Sequence, residues 1–198
     1  NKKIEIINLY QIYKILMATF TTTTTTTTTN AVFALGPSAS GKSTMFPDAF
    51  EADKFKGLYN DGAINKRMLG AAHEKCYQDF VDALEASLCD GDGKTITVAN
   101  TMGGITKTKK NPVVRYLEAI VEAEGKYHVS ITVSIVYPRN HLLFYTGEGV
   151  ATDEDSQVEK MIDDRSSGDK IIPAGAMRRM IKTYIQEAPR VKIMAEMH

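Results

Sequence analysis

The chain has little cysteine, no charge imbalance and no long apolar run, and each shortage narrows what it is. Two cysteines among 198 residues, Cys76 and Cys89, cannot make a disulfide scaffold, which favours a reducing compartment and a cytoplasmic protein. Nor does any Cys/His cluster show metal-ligand spacing, so His73 reads as a surface or packing residue and Cys76 as a core residue. Lys plus Arg number 24 and Asp plus Glu number 24, a formal net charge of zero. That balance argues against binding nucleic acid by bulk charge but leaves room for a local basic groove. No apolar stretch reaches the roughly 18 residues of a spanning helix, so no membrane partner is expected. What remains, 43% hydrophobic and 24% charged, suits a globular chain with one sizeable core.

Residues 1–30 read as a separate tail, disordered or loosely attached. Asn1 to Leu16 is rich in Ile, Lys, Asn and Tyr, and an unbroken threonine run follows from Thr21 to Thr29. A homopolymer has no hydrophobic period and specifies no face or register. Glu5, Asn8, Gln11 and Lys14 interrupt the apolar residues after Lys2 and Lys3, which argues against a secretory signal. The change of composition at Met17 marks it as a possible functional start.

Ala31 to Leu35 is a short apolar run ending at a glycine, the pattern of a buried parallel strand. Gly36-Pro37-Ser38-Ala39-Ser40-Gly41-Lys42-Ser43-Thr44 then matches G-x-x-x-x-G-K-[ST] at every fixed position. A loop of this kind wraps a phosphate and presents backbone N–H groups to it, and glycines permit the necessary backbone. The helix opening at Gly41 is expected to add its positive dipole end. Lys42 is expected to reach the β- and γ-phosphates of ATP, and the Ser43 hydroxyl to hold Mg2+. Pro47 lies early in the following helix, which should therefore be short, ending near Asp53.

A phosphoryl acceptor needs a carboxylate to orient it and take its proton. Asp61 is the first candidate, because Gly57 to Asn60 reads as a second strand and Asp61 would sit at its C-terminal end. Asp53 is the rival. Arg67 is a candidate for substrate contact, or a solvated helix charge. Asn65 to Leu88 has a helical period, with Leu69, Ala72, Cys76, Phe80, Ala83 and Leu84 at steps of three or four. Asp90 to Gly93 is a turn, and Thr95 to Ala99 is a strand ending in Asn100 and Thr101, where substrate would be met. Lys107, Lys109 and Lys110 make the next loop basic. A helix is expected from Asn111 to about Glu124, a strand from Val129 to Tyr137, and helices from Ser156 to Arg165 and from Pro173 to about Glu187. Val191 to Met194 would close the sheet. Arg165 is the first candidate for a cation that a closing lid brings to the transferring group, ahead of Lys170, Arg178 and Arg179.

From Ala31 to Glu187 the order resembles a P-loop kinase of the group containing zeta toxin-like kinases and polynucleotide 5′-hydroxyl kinases. GPSASGKST is the sharpest part. Asp61-Gly62 followed by Arg67 is similar to the segment that positions the acceptor hydroxyl in those families. VANT is similar to their third strand and substrate-facing turn, YLEAIVEAEGKYHVSITVSIVYP to the helix and strand after it, and RSSGDKIIPAGAMRRMIKTY, more weakly, to the lid and its helix. Two departures stand out: Ala63 follows Asp61-Gly62 where the toxin-like kinases usually carry a polar residue, and no histidine follows Gly168. The resemblance implies a three-layer α/β fold with a mostly parallel sheet over residues 31–198. It implies Mg-ATP-dependent phosphorylation of a hydroxyl on a nucleic-acid 5′ end or a nucleotide sugar. A nucleoside or nucleotide kinase, or a nucleotide-binding module without catalysis, are the alternatives.

Overall fold

A computed structural model describes residues 29–101, 112–137, 145–146, 149–150, 156–164 and 171–197. The chain is an α/β protein built on a three-stranded parallel sheet. Strand β1 (Thr29–Leu35) is central, with β4 (Thr95–Asn100) on one side and β5 (Ile131–Val136) on the other. The registers are Phe33 with Val98 and Phe33 with Ile135. Strand β1 is buried along most of its length, as a central strand must be.

The sheet starts earlier than the apolar run suggests. Thr29, last of the threonine run, pairs with Ile131 and is buried. Its hydroxyl lies 3.3 Å from that of Ser87, which in turn donates to Asp92 at 2.8 Å. Ser87 has one hydroxyl proton, and it goes to Asp92, so Thr29 is the donor in the first bond. This polar chain satisfies two buried hydroxyls and ties the start of β1 to the last turn of the helix Leu69–Asp90. The expectations for residues 1–28 lie outside the described residues.

Helix α1 (Lys42–Met45) is one turn, shorter than expected. Phe46 precedes Pro47 and leaves the helical region at φ −132° and ψ 76°, as the proline ring requires. A 3-10 turn follows at Ala52–Lys54. The expected second strand does not join the sheet. Instead β2 (Tyr59–Asn60) and β3 (Ala63–Ile64) form a separate antiparallel hairpin. Asp61 at φ 48° and Gly62 at φ 78° supply the two positive-φ residues of a tight turn, and an Asp-Gly pair favours that chain reversal.

Helix α2 (Leu69–Asp90) buries Ala72, Cys76, Phe80, Leu84 and Ser87, one face at helical spacing. Gly91 ends it in the left-handed conformation at φ 64°. Helix α3 (Pro112–Tyr127) buries Val113, Tyr116, Leu117 and Ile120. The central core lies where β1, α2 and α3 meet. Phe33, Phe80 and Tyr116 form an aromatic triangle with ring centroids 5.1–6.2 Å apart. A short hairpin, β6 (Tyr145–Thr146) with β7 (Gly149–Val150), precedes α4 (Ser156–Asp164) and α5 (Ala174–Glu196).

The expected closing strand at residues 191–194 is helical. Pro189 lies inside α5 rather than ending it. Met177, Ile181, Tyr184, Ile185, Ala188 and Val191 make one buried face across the proline, and that burial offsets the roughly 3 kcal/mol an interior proline costs. Among the described residues no helix is long and apolar enough to cross a membrane.

Candidate functional site

The sheet gathers most of the candidate residues at the C-terminal ends of β1 and β4. The chain leaves β1 at Leu35 and leaves β4 at Asn100, and the two exits are tied by the Gly36 N–H bonding to the Asn100 carbonyl at 3.2 Å. The Gly36–Thr44 loop forms one wall of a cleft there. The cleft is lined by Ser38 to Thr44, Glu51, Ala52, Asp53, His73, Cys76, Ala99, Asn100, Thr101 and Tyr116.

The loop is shaped by two left-handed residues, Ala39 at φ 62° and Gly41 at φ 83°. Alternation of left- and right-handed backbone is what curls successive N–H groups toward one centre. Because α1 is a single turn, its dipole adds little, contrary to the expectation, and the cradle depends on the loop itself. Lys42 closes it. Its ammonium donates to the Gly36 carbonyl at 2.8 Å, the Pro37 carbonyl at 2.7 Å and the Ser40 hydroxyl at 3.3 Å. The cation is thus held over the loop mouth by the backbone that leaves β1.

Ser43, second residue of α1, turns its hydroxyl to Glu51, donating to both carboxylate oxygens at 2.8 and 3.0 Å. Glu51 is held there by its neighbour. Phe50 makes a parallel bridge to Val98 on the outer edge of β4, its N–H donating to the Thr97 carbonyl at 2.8 Å and its carbonyl accepting from Ala99 N–H at 3.0 Å. Among the described residues no three His, Cys, Asp or Glu side chains group as metal ligands. The hydroxyl and carboxylate do fit a hard cation delivered with a nucleotide, because magnesium takes oxygen donors and is usually held by one or two protein groups plus substrate phosphates.

The far wall comes from α2 and α3. His73 lies near Asp53; removal from water lowers the imidazole's pKa, and the Asp53 charge partly opposes that. Tyr116 donates to Cys76 sulfur at 3.5 Å. Burial pushes the Cys76 thiol up, so it stays protonated and is a packing residue rather than a nucleophile, as its spacing on α2 suggested.

Of the sequence candidates, Gly36 leads into the cleft and Ser38, Ala39, Ser40, Gly41, Lys42, Ser43, Thr44, Asp53, Asn100 and Thr101 line it. Asp61 does not. It is exposed at the β2–β3 turn, and Gly62 beside it accepts a bond from Ile171 N–H at 2.7 Å, so this acidic turn is joined to the C-terminal segment instead. Arg67 is exposed before α2, where its N–H donates to the Asn65 side chain at 3.2 Å. Arg178 pairs with Glu159 at 2.7 Å, joining α5 to α4, and Arg179 is exposed on α5; neither lines the cleft. Arg165, Lys170 and the lysines at 107, 109 and 110 lie outside the described residues. Sequence reading missed Glu51 and the cleft-facing positions of His73 and Tyr116. The available signal was negative: β4 ends in Val98-Ala99-Asn100, with no carboxylate to stand beside the loop serine. Comparison with protein-family models, curated proteins and solved structures gives no match.

Proposed function

We propose that the protein is a P-loop phosphotransferase of three-layer architecture that moves a phosphoryl group from ATP to a hydroxyl. The observation that carries this reading is that Lys42, on a loop whose sequence fits phosphate at every fixed position, shares one cleft with Asp53 of the following 3-10 turn. The loop amides and Lys42 hold the phosphates. A phosphate oxygen takes the place of the Ser40 hydroxyl, the longest of the three ammonium contacts. Mg2+, bound with the nucleotide at Ser43, supplies charge neutralisation at the phosphates. Asp53 orients the acceptor hydroxyl and accepts its proton; Asp61, first on sequence grounds, gives way to it because the hairpin carries Asp61 out of the cleft. Asn100 and Thr101 contact the acceptor from the end of β4. Arg165 remains the proposed lid cation. The acceptor is a nucleic-acid 5′ end or a nucleotide sugar, and the site is a cytoplasmic one.

Labelled ATP tested against DNA ends, RNA ends, nucleosides and UDP-sugars identifies the acceptor. Lys42→Ala is expected to weaken ATP binding about 10- to 100-fold, the value of a charge-assisted hydrogen bond. Asp53→Asn should leave that affinity unchanged and lower turnover about 100- to 10,000-fold, while Asp61→Asn alters neither. A protein that binds ATP and transfers to none of these acceptors is a binding module. Loss of turnover in Asp61→Asn but not in Asp53→Asn reverses the assignment.

A further inference from the structure

P-loop enzymes hold their metal between the loop Ser/Thr and a carboxylate, most often an aspartate at the end of a neighbouring strand. In this chain the neighbouring strand is β4, and its last residues before the cleft are Val98, Ala99 and Asn100. Ala99 is nearly buried and packs with Ala34 and Ala49, so that position offers the loop neither charge nor a hydrogen-bond acceptor on its side chain. The carboxylate beside Ser43 comes instead from Glu51, eight residues further along the chain than the serine. It reaches the loop because Phe50 is stitched to the outer edge of the same strand. A residue on that outer edge thus delivers what the strand's own sequence omits.

Resting on the phosphotransferase reading, we propose that Glu51 is the carboxylate of the magnesium site, supplied from the outer edge of β4 in place of one from the strand. It acts on the metal in two ways. By accepting the Ser43 hydroxyl's hydrogen bond it would leave that oxygen's lone pairs available to the cation. Its negative charge lies beside the loop mouth, where a cation shared with the phosphates is attracted to it. The same charge repels phosphate when no cation intervenes. Glu51 therefore makes nucleotide binding depend on the metal, a property that a residue with only a packing role does not confer.

The test is the affinity of the full chain for AMP-PNP, a non-transferable ATP analogue, measured by calorimetry in Mg2+ and again in EDTA. In Glu51→Gln the affinity in Mg2+ is expected to fall about 10- to 100-fold, the usual effect of removing a metal's supporting group. Its affinity in EDTA should stay level or rise. Glu51→Asp should recover part of the Mg2+ effect, and Asp53→Asn should retain all of it. If Glu51→Gln keeps the full Mg2+ effect, or loses affinity equally in both conditions, the assignment is wrong. If Asp53→Asn loses the effect instead, the metal's carboxylate is Asp53. If the unaltered chain binds AMP-PNP equally well with and without Mg2+, only this inference falls. If it binds no AMP-PNP in either condition, the phosphotransferase reading falls as well.

Discussion

At the scale of single residues, the cleft depends on backbone angles as much as on side chains. Gly41 sits at φ 83°, and a Cβ built there would meet nothing within 4 Å. A Gly41→Ala change is therefore sterically free but conformationally strained, and should cost about 1–2 kcal/mol. Gly125 in α3 is the converse case: it too has open space, but no positive φ. Gly125→Ala should gain up to about 1 kcal/mol. Denaturant melts of the two variants check both signs. The loop was legible because its constraints are local, with each glycine and the Lys-Ser pair needed within a few residues of chain. Asp61 misled for a related reason. Asp-Gly is equally good at ending a strand near a ligand and at reversing a hairpin, and only pairing with residues 63 and 64 decides between them.

Elements show where a local reading reaches its limit. Although the sheet sets β1, first of its strands in the chain, between β4 and β5, the helices and the three parallel strands announce themselves by local pattern. Their ends do not. Pro189 looks like a stop signal, yet the apolar face from Met177 to Val191 carries the helix through it. Glu51 was illegible because its place depends on Phe50 reaching the edge of β4, a contact across 48 residues that no local pattern encodes. That contact has a direct test. Phe50→Pro removes the N–H that bonds to Thr97, together with the phenyl ring that packs on the core. The variant should stay folded by circular dichroism, but its affinity for magnesium nucleotide should fall as in Glu51→Gln. A Phe50→Leu control, which keeps the N–H, should bind as the unaltered chain does.

For the whole molecule, acid tolerance is tied to the cleft. The folded state holds the His73 imidazole below its ordinary pKa of 6.5, chiefly by removing it from water, with Asp53 partly compensating. As pH falls through 6.5 the unfolded chain takes up a proton at this position before the folded one does. Stability contributed here is thus complete above pH 6.5, declines below it, and levels off once the folded state also protonates. His73→Gln should flatten that decline in chemical denaturation across pH 7.5 to about 5. In Asp53→Asn the decline should steepen, because the opposing charge has gone.

The stitch at Phe50 has one more consequence. Parallel sheets with an open side invite strand addition from other chains, and here the docking rail next to β4 is already occupied over one residue. Any extended peptide laid along that rail must first lift Phe50 away, and lifting it would carry Glu51 off Ser43. Company at the sheet's margin would thus compete with the metal role proposed for Glu51.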